Sequence, residues 1–238
     1  MAGPLILHIE TTTDICSVSI SEKDQLLSLA ESGPERSHAA LLNRYIRQVC
    51  SDSGKELKNL DAVSVSKGPG SYTGLRIGVS TAKGLAYALE IPLIASGTLD
   101  HMATGAGDNP EIRKIIRKYT DAVLLCPMLD ARRMEVYSAL YTPDGTMTGE
   151  VSAVIVDSNS YRGLLQKFHI CFFGNGAGKC KAMLDHPHAH FVEGIHPSAA
   201  HMVIPGLARY NEQEFEDVAY FEPFYLKEFV ATRPRKKV

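Results

Sequence analysis

Two stretches of this chain have the residue types that hold phosphates. The first is KGPGSYTGLRIGVSTAKGLAYAL (67–89), a glycine-rich turn that runs straight into helical spacing after the alternating DAVSVS. Backbone N–H groups that converge at a helix N-terminus, with glycines to let an anion approach, make a phosphate cradle. The spacing of GPGSYTG (68–74) is G-x-G-x-x-x-G, however, which is neither the dinucleotide G-x-G-x-x-G nor a turn ending in GK[ST]. The second stretch, GNGAGKC (174–180), places Phe173 where a P-loop needs its first glycine and Cys180 where it needs Ser or Thr. Neither is a P-loop. ETTTD (10–14) is a turn of hydroxyls flanked by carboxylates.

Metal and nucleophile patterns are thin. The nine histidines include HPHAH (186–190), which the interrupting proline marks as a surface loop. There is no H-E-x-x-H and no G-x-S-x-G. His38 opens a helical run, where it can cap the helix or meet a partner; as a base it has no visible partner in the sequence.

The elements that would carry these residues read as strands and helices in a repeating order. LILHI (5–9), ICSVSI (15–20) and QLLSLA (25–30) are short apolar or alternating runs, which predict strands. SHAALLNRYIRQVC places Leu41, Leu42, Tyr45, Ile46 and Val49 on one helical face. AVSVS (62–66) predicts a strand, 73–89 a helix and PLIAS (92–96) a strand. TGAGDNP (104–110) breaks the pattern, so the halves are expected at 1–106 and 107–238. A second pass follows, with AVLLCPML (122–129), the turn DARR, MEVYSALY (134–141), VSAVIV (151–156), a helix near 158–167, HICFF (169–173) and a helix from about 176. Both passes open strand, polar turn, strand. The expected class is therefore α/β, built as a duplicated domain.

Composition narrows the function. In 238 residues, 45% are hydrophobic and 22% charged, as in an ordinary globular protein. A net charge of −2 argues against broad electrostatic capture of nucleic acid. The basic tail Arg233-Pro234-Arg235-Lys236-Lys237 reads as a solvated end. Five cysteines without C-x-x-C spacing, and an N-terminus with neither a charged leader nor a long apolar run, predict a reduced, cytoplasmic protein with no membrane span.

In the helix after the first glycine turn, Gly74, Gly78, Ala82 and Ala86 recur every four residues. A stripe of small residues lets another element approach closely. That element can be the chain's own sheet or a helix of another chain.

Taken together, IETTTDICSVSI, KGPGSYTGLRIGVSTAKGLAYALEIPLIASGTLDHMA, LDARRMEVYSALY, FGNGAGKC and EPFYLKE resemble the TsaB (YeaZ) family across most of the chain. The resemblance implies the ASKHA fold, the actin, sugar-kinase and Hsp70-like architecture of two duplicated halves. It also implies a non-catalytic partner of TsaD, the glycoprotease-like subunit that works with TsaE to install threonylcarbamoyl on the adenosine beside the tRNA anticodon. ATP and metal would belong to the partner subunits, tRNA would be met only through the complex, and the chain alone could pair with a second copy. The metal-binding His-x-x-x-His of TsaD would fall here on Thr98 and Met102, with His101 one position off, so no metal site and no catalytic residue is expected. By the same resemblance the partner interface would use His38, Leu42, Tyr45, Tyr72, Gly74, Leu75, Gly78, Ala82 and Ala86. Two rival activities are a nucleotide phosphotransferase and a metal-dependent glycoprotease. Glu10 in place of the usual Asp and DARR in place of a glycine-rich hairpin weigh against the first, and the missing histidines against the second.

Overall fold

The computed structural model describes residues 3–33 and 38–227. The basic tail at 233–237 lies outside the described residues. The first sheet contains β1 (Leu5–Glu10), β2 (Ser17–Glu22), β3 (Gln25–Glu31), β4 (Ala62–Gly68) and β5 (Leu93–Gly97), in the order β3-β2-β1-β4-β5. The β1–β2 and β2–β3 pairs are antiparallel, and the β1–β4 and β4–β5 pairs are parallel. Helix α1 (His38–Ser53) carries the chain from β3 to β4, and α2 (Tyr72–Leu89) from β4 to β5.

The second sheet contains β6 (Val123–Asp130), β7 (Glu135–Ser138), β8 (Ser152–Ile155), β9 (His169–Phe173) and β10 (Ala189–Val192). Its order, β8-β7-β6-β9-β10, retraces the path of the first sheet with the same antiparallel and parallel pairings. Helices α5 (Arg162–Leu165) and α6 (Ala177–Cys180) stand where α1 and α2 stand in the first half. The duplicated α/β architecture expected from the sequence is present. Between the sheets run α3 (Thr98–Ala106) and α4 (Pro110–Tyr119), and α7 (Val203–Glu212) follows β10.

Two segments differ from the sequence expectation. The break at 104–110 separates two helices: Asn109 caps α4 by accepting from the N–H groups of Glu111 and Ile112, with Pro110 in the first helical position. HPHAH is not wholly a loop, because Ala189 onward pairs in register with β9.

Period-two alternation decides what each face of the first sheet buries. Leu5, Leu7, Ile9, Val18, Ile20, Val63 and Val65 point to one face and join Leu42, Ile46, Val79 and Ala82 of α1 and α2 in an apolar core. The opposite face carries His8, Glu10, Ser17, Ser19, Ser21, Ser64, Ser66 and Ser96, all buried. It is covered by α3, α7 and the short turn 199–202, whose backbone satisfies two of the serines: Ser19 Oγ donates to Ala199 O, and Ala199 N donates to Ser17 Oγ. After α7 the chain crosses back over the first half. Glu216 N donates to Leu93 O, Lys83 Nζ to Phe221 O and Phe224 N to Lys67 O, and Lys227 then pairs with Glu135 of β7.

Candidate functional site

The ETTTD turn and the glycine turn GPGSYTG hold each other. β1 ends at Glu10, whose side chain lies on the polar, fully buried face of the sheet. Glu10 Oε1 accepts from the N–H and hydroxyl of Thr12, each at 2.5 Å, and Oε2 meets His101 Nε2 of α3 at 2.7 Å. Burial acts to raise the Glu10 pKa. The hydrogen bond and charge of His101, with hydrogen bonds from Ser66 and Thr12, outweigh it and hold the carboxyl below its ordinary range. On the same face, burial first and the charge of His101 second push His8 down to about 3, so it is neutral at physiological pH. The donors of this turn already serve a buried carboxylate, and a phosphate brought here would face that negative charge in a site without water.

The rest of the ETTT turn is clamped from three sides. Thr11 Oγ1 donates to Gly74 O at 2.8 Å, Ser71 N donates to Thr12 O at 2.6 Å, and His38 Nε2 lies 2.6 Å from Thr13 O. A Cβ on Gly74 would fall on Thr11 O, and one on Gly78 would fall on Thr11 Oγ1. The glycines admit the chain's own threonine turn against α2.

This corrects the interface expected from sequence. His38, Leu42, Tyr45, Gly74, Leu75, Gly78, Ala82 and Ala86 are buried inside the chain. Leu42, Leu75 and Ala86 are 1% exposed and Ala82 is 0% exposed, so none of them can touch a partner of the folded chain. Tyr72 is partly exposed, with the Arg76 guanidinium 4.3 Å above its ring and Tyr225 beside it. The outward face of α2 lies one step round the helix, at Thr73, Ser80, Gly84, Tyr87 and Ala88. Gly84 has nothing within contact distance of an added Cβ, and Tyr87 is 80% exposed. Ala39, Ala40, Asn43, Arg44, Arg47 and Gln48 form the exposed face of the adjacent α1. The outer face sets the small residues Ala39, Ala40, Ser80, Gly84 and Ala88 among the longer Arg44, Arg47, Arg76 and Tyr87.

Thr98 and Met102, where the resemblance would have put metal-binding histidines, are both 0% exposed. Thr98 Oγ1 lies 3.1 Å from Ser66 Oγ, and Met102 belongs to an apolar cluster with Leu99 and Phe173. No group of three His, Cys, Asp or Glu among the described residues is arranged to hold a metal ion. The five cysteines are free thiols, and no described helix is long and apolar enough to cross a membrane.

The counterpart turn of the second half is built differently. Asp130, half-exposed at the end of β6, accepts from Arg132 N and pairs with Lys179 of α6. Arg132 and Arg133 are exposed, with φ of 72° and 47°.

Residues 32–233 match the family described as "TsaD: tRNA N6-adenosine threonylcarbamoyltransferase". Among individual proteins, the tRNA threonylcarbamoyladenosine biosynthesis protein TsaB of Buchnera aphidicola subsp. Schizaphis graminum is 31% identical over 165 residues, covering 68% of this chain and 73% of that protein. The chain belongs to the TsaB (YeaZ) family. Escherichia coli TsaB is 33% identical over 153 residues, covering 63% of this chain and 62% of that protein. The chain spans 58% of the Buchnera aphidicola subsp. Acyrthosiphon pisum TsaB, which is 36% identical over the matched residues. In structure, YeaZ from Pseudomonas aeruginosa superposes with a TM-score of 0.75 at 23% identity, covering 94% of this chain and all of that one, which shows a shared fold.

Proposed function

We propose that this TsaB-family chain acts in tRNA threonylcarbamoyladenosine biosynthesis as a non-catalytic subunit that supports a TsaD-type transferase. The observation that carries this reading is the filled turn at Glu10. The place where an actin-like phosphotransferase would seat a phosphate is closed by the chain's own carboxylate, with Thr12 and His101 as its partners. The names of the relatives supply the pathway, and the small outward residues of α1 and α2 supply a face on which a partner helix can lie close. On this reading ATP, metal and the threonylcarbamoyl donor are handled by the partner subunits, a TsaE-type protein joins them, the chain alone can pair with a second copy, and the complex works in the cytoplasm.

Replacing Gly84 by Leu tests the face. A leucine there meets open space within the chain, so the variant folds, but it obstructs a helix packed on α2. Gly84→Leu should fail to co-purify with the TsaD-type subunit that wild type retains. Full retention by the folded variant would show that α2 is not the docking face.

A further inference from the structure

A second surface stands apart from the α1–α2 face, on the second half of the molecule around the end of α4. Its outward row holds Lys114, Arg117 and Lys118, all exposed. Neither Lys114 nor Arg117 makes a salt bridge among the described residues, while Lys118 lies over the Tyr119 ring at 4.8 Å. Arg113 is paired with Asp108, and Glu111, three residues before Lys114, brings one carboxylate to the start of the row. Positions i, i+3 and i+4 are neighbours on a helix surface, so the three cations form one patch.

Two different surfaces flank that patch. On one side Tyr119 stacks on His169 with ring centroids 3.4 Å apart, and His188 follows at 4.0 Å. His190 Nε2 lies 3.0 Å from His169 Nδ1. All four rings are partly exposed. On the other side a groove of about 800 Å³ is lined by Ile116, Leu140, Leu164 and Phe168, with Arg117 and Asp144 among its polar residues. Helical amphipathicity explains the cations, but not a half-open stack of rings on one flank and an apolar groove on the other.

We infer that this surface binds a single-stranded or looped segment of RNA, with Lys114, Arg117 and Lys118 on phosphates and the ring stack and groove taking unstacked bases. Cations beside aromatic rings are how proteins hold single strands, and at the outer end of this stack His188 and His190 are partly exposed to meet a base. An acidic peptide would use the cations and leave the rings and groove unused. A fully paired duplex would hide its bases. The inference rests on the tRNA reading above and adds a contact which that reading does not contain. It is compatible with a net charge of −2, because the patch is local and small.

The test is fluorescence anisotropy of a labelled RNA hairpin with a single-stranded loop, titrated with the full chain at two salt concentrations. Three neutralised phosphates on a single strand give a slope near −2, so affinity should fall about 20-fold from roughly 50 to roughly 200 mM KCl. The triple variant Lys114→Glu, Arg117→Glu, Lys118→Glu, checked for folding by circular dichroism, should bind at least about tenfold more weakly and lose most of that salt dependence. A duplex of the same length without a loop should bind several-fold more weakly than the hairpin. Undetectable binding at low salt, unchanged binding by the triple variant, equal binding of hairpin and duplex, or equally effective displacement by a polyglutamate peptide would each overturn the inference. Co-purification of the triple variant with the TsaD-type subunit separates the two proposals. Retained partner with unchanged RNA binding sinks this inference alone, whereas loss of partner by wild type sinks the proposed function.

Discussion

The two halves of this molecule follow one strand order but differ at the turn after the first strand and in the length of their crossover helices. In the first half the turn after β1 is buried and its acid, Glu10, is enclosed by Thr12 and His101. In the second half the turn after β6 is open and its acid, Asp130, shares a surface with Lys179. The first half crosses between its strands with helices of 16 and 18 residues, and the second with helices of four. On the proposed function the long helices form the docking layer, whereas the short ones leave the turn at Asp130 exposed. The duplication teaches that topology sets where a site can form and local burial decides whether it remains one.

The sharpest way to break this contrast is to neutralise the two acids in turn. Glu10→Gln takes the buried carboxylate acceptor from Thr12 and His101, so it should lose about 3 kcal/mol or more in urea unfolding. Asp130→Asn, at a half-exposed surface pair, should lose no more than about 1 kcal/mol. Equal losses would mean that the turns are equivalent after all.

The glycines of α2 offer a second contrast within one helix. Gly78→Leu forces a side chain onto Thr11 Oγ1 and should cost about 3 kcal/mol or more. Gly84→Leu meets nothing and should raise stability by about 0.5–1 kcal/mol, as expected for replacing glycine on an exposed helix face. Thermal melts of the two variants should move in opposite directions.

How much of this was legible in the sequence depended on whether the deciding contact was local. The strands of both halves follow from short alternating runs, and AVSVS even displays the apolar and polar faces of β4. Helix α4 passed unread beside a glycine-rich break, although Asn109-Pro110 is a local start signal that could have found it. Strand β10 was hidden because its first two residues, Ala189 and His190, are the end of the proline-interrupted histidine run. The small-residue stripe was visible, but its partner was not. Thr11 lies 63 residues from Gly74 in the chain, and His101 lies 91 from Glu10. No periodicity encodes contacts at that separation, so the same stripe could equally have faced a partner or the chain itself.

A smaller effect sharpens the comparison through pH. His8 titrates near 3 in the folded first half, against 6.5 when unfolded, because it is buried beside the charge of His101. The unfolded chain therefore binds more protons across that window. The stability that goes with neutral His8 is complete above pH 6.5 and is lost as pH falls toward 3. Between pH 7 and 5.5, wild type should lose about 1 kcal/mol more than His8→Gln. Parallel pH dependence in the two proteins would show that His8 is not held neutral by its burial.

The central claim is that the chain supports the transfer reaction without performing it, and reconstitution tests this most directly. Transfer of threonylcarbamoyl to tRNA would be measured with the purified chain alone, with the TsaD-type subunit and its accessory protein alone, and with all together, each supplied with the threonylcarbamoyl donor. The account predicts product only in the complete mixture, and loss of that product when wild type is replaced by Gly84→Leu. Product formed by the isolated chain would contradict it.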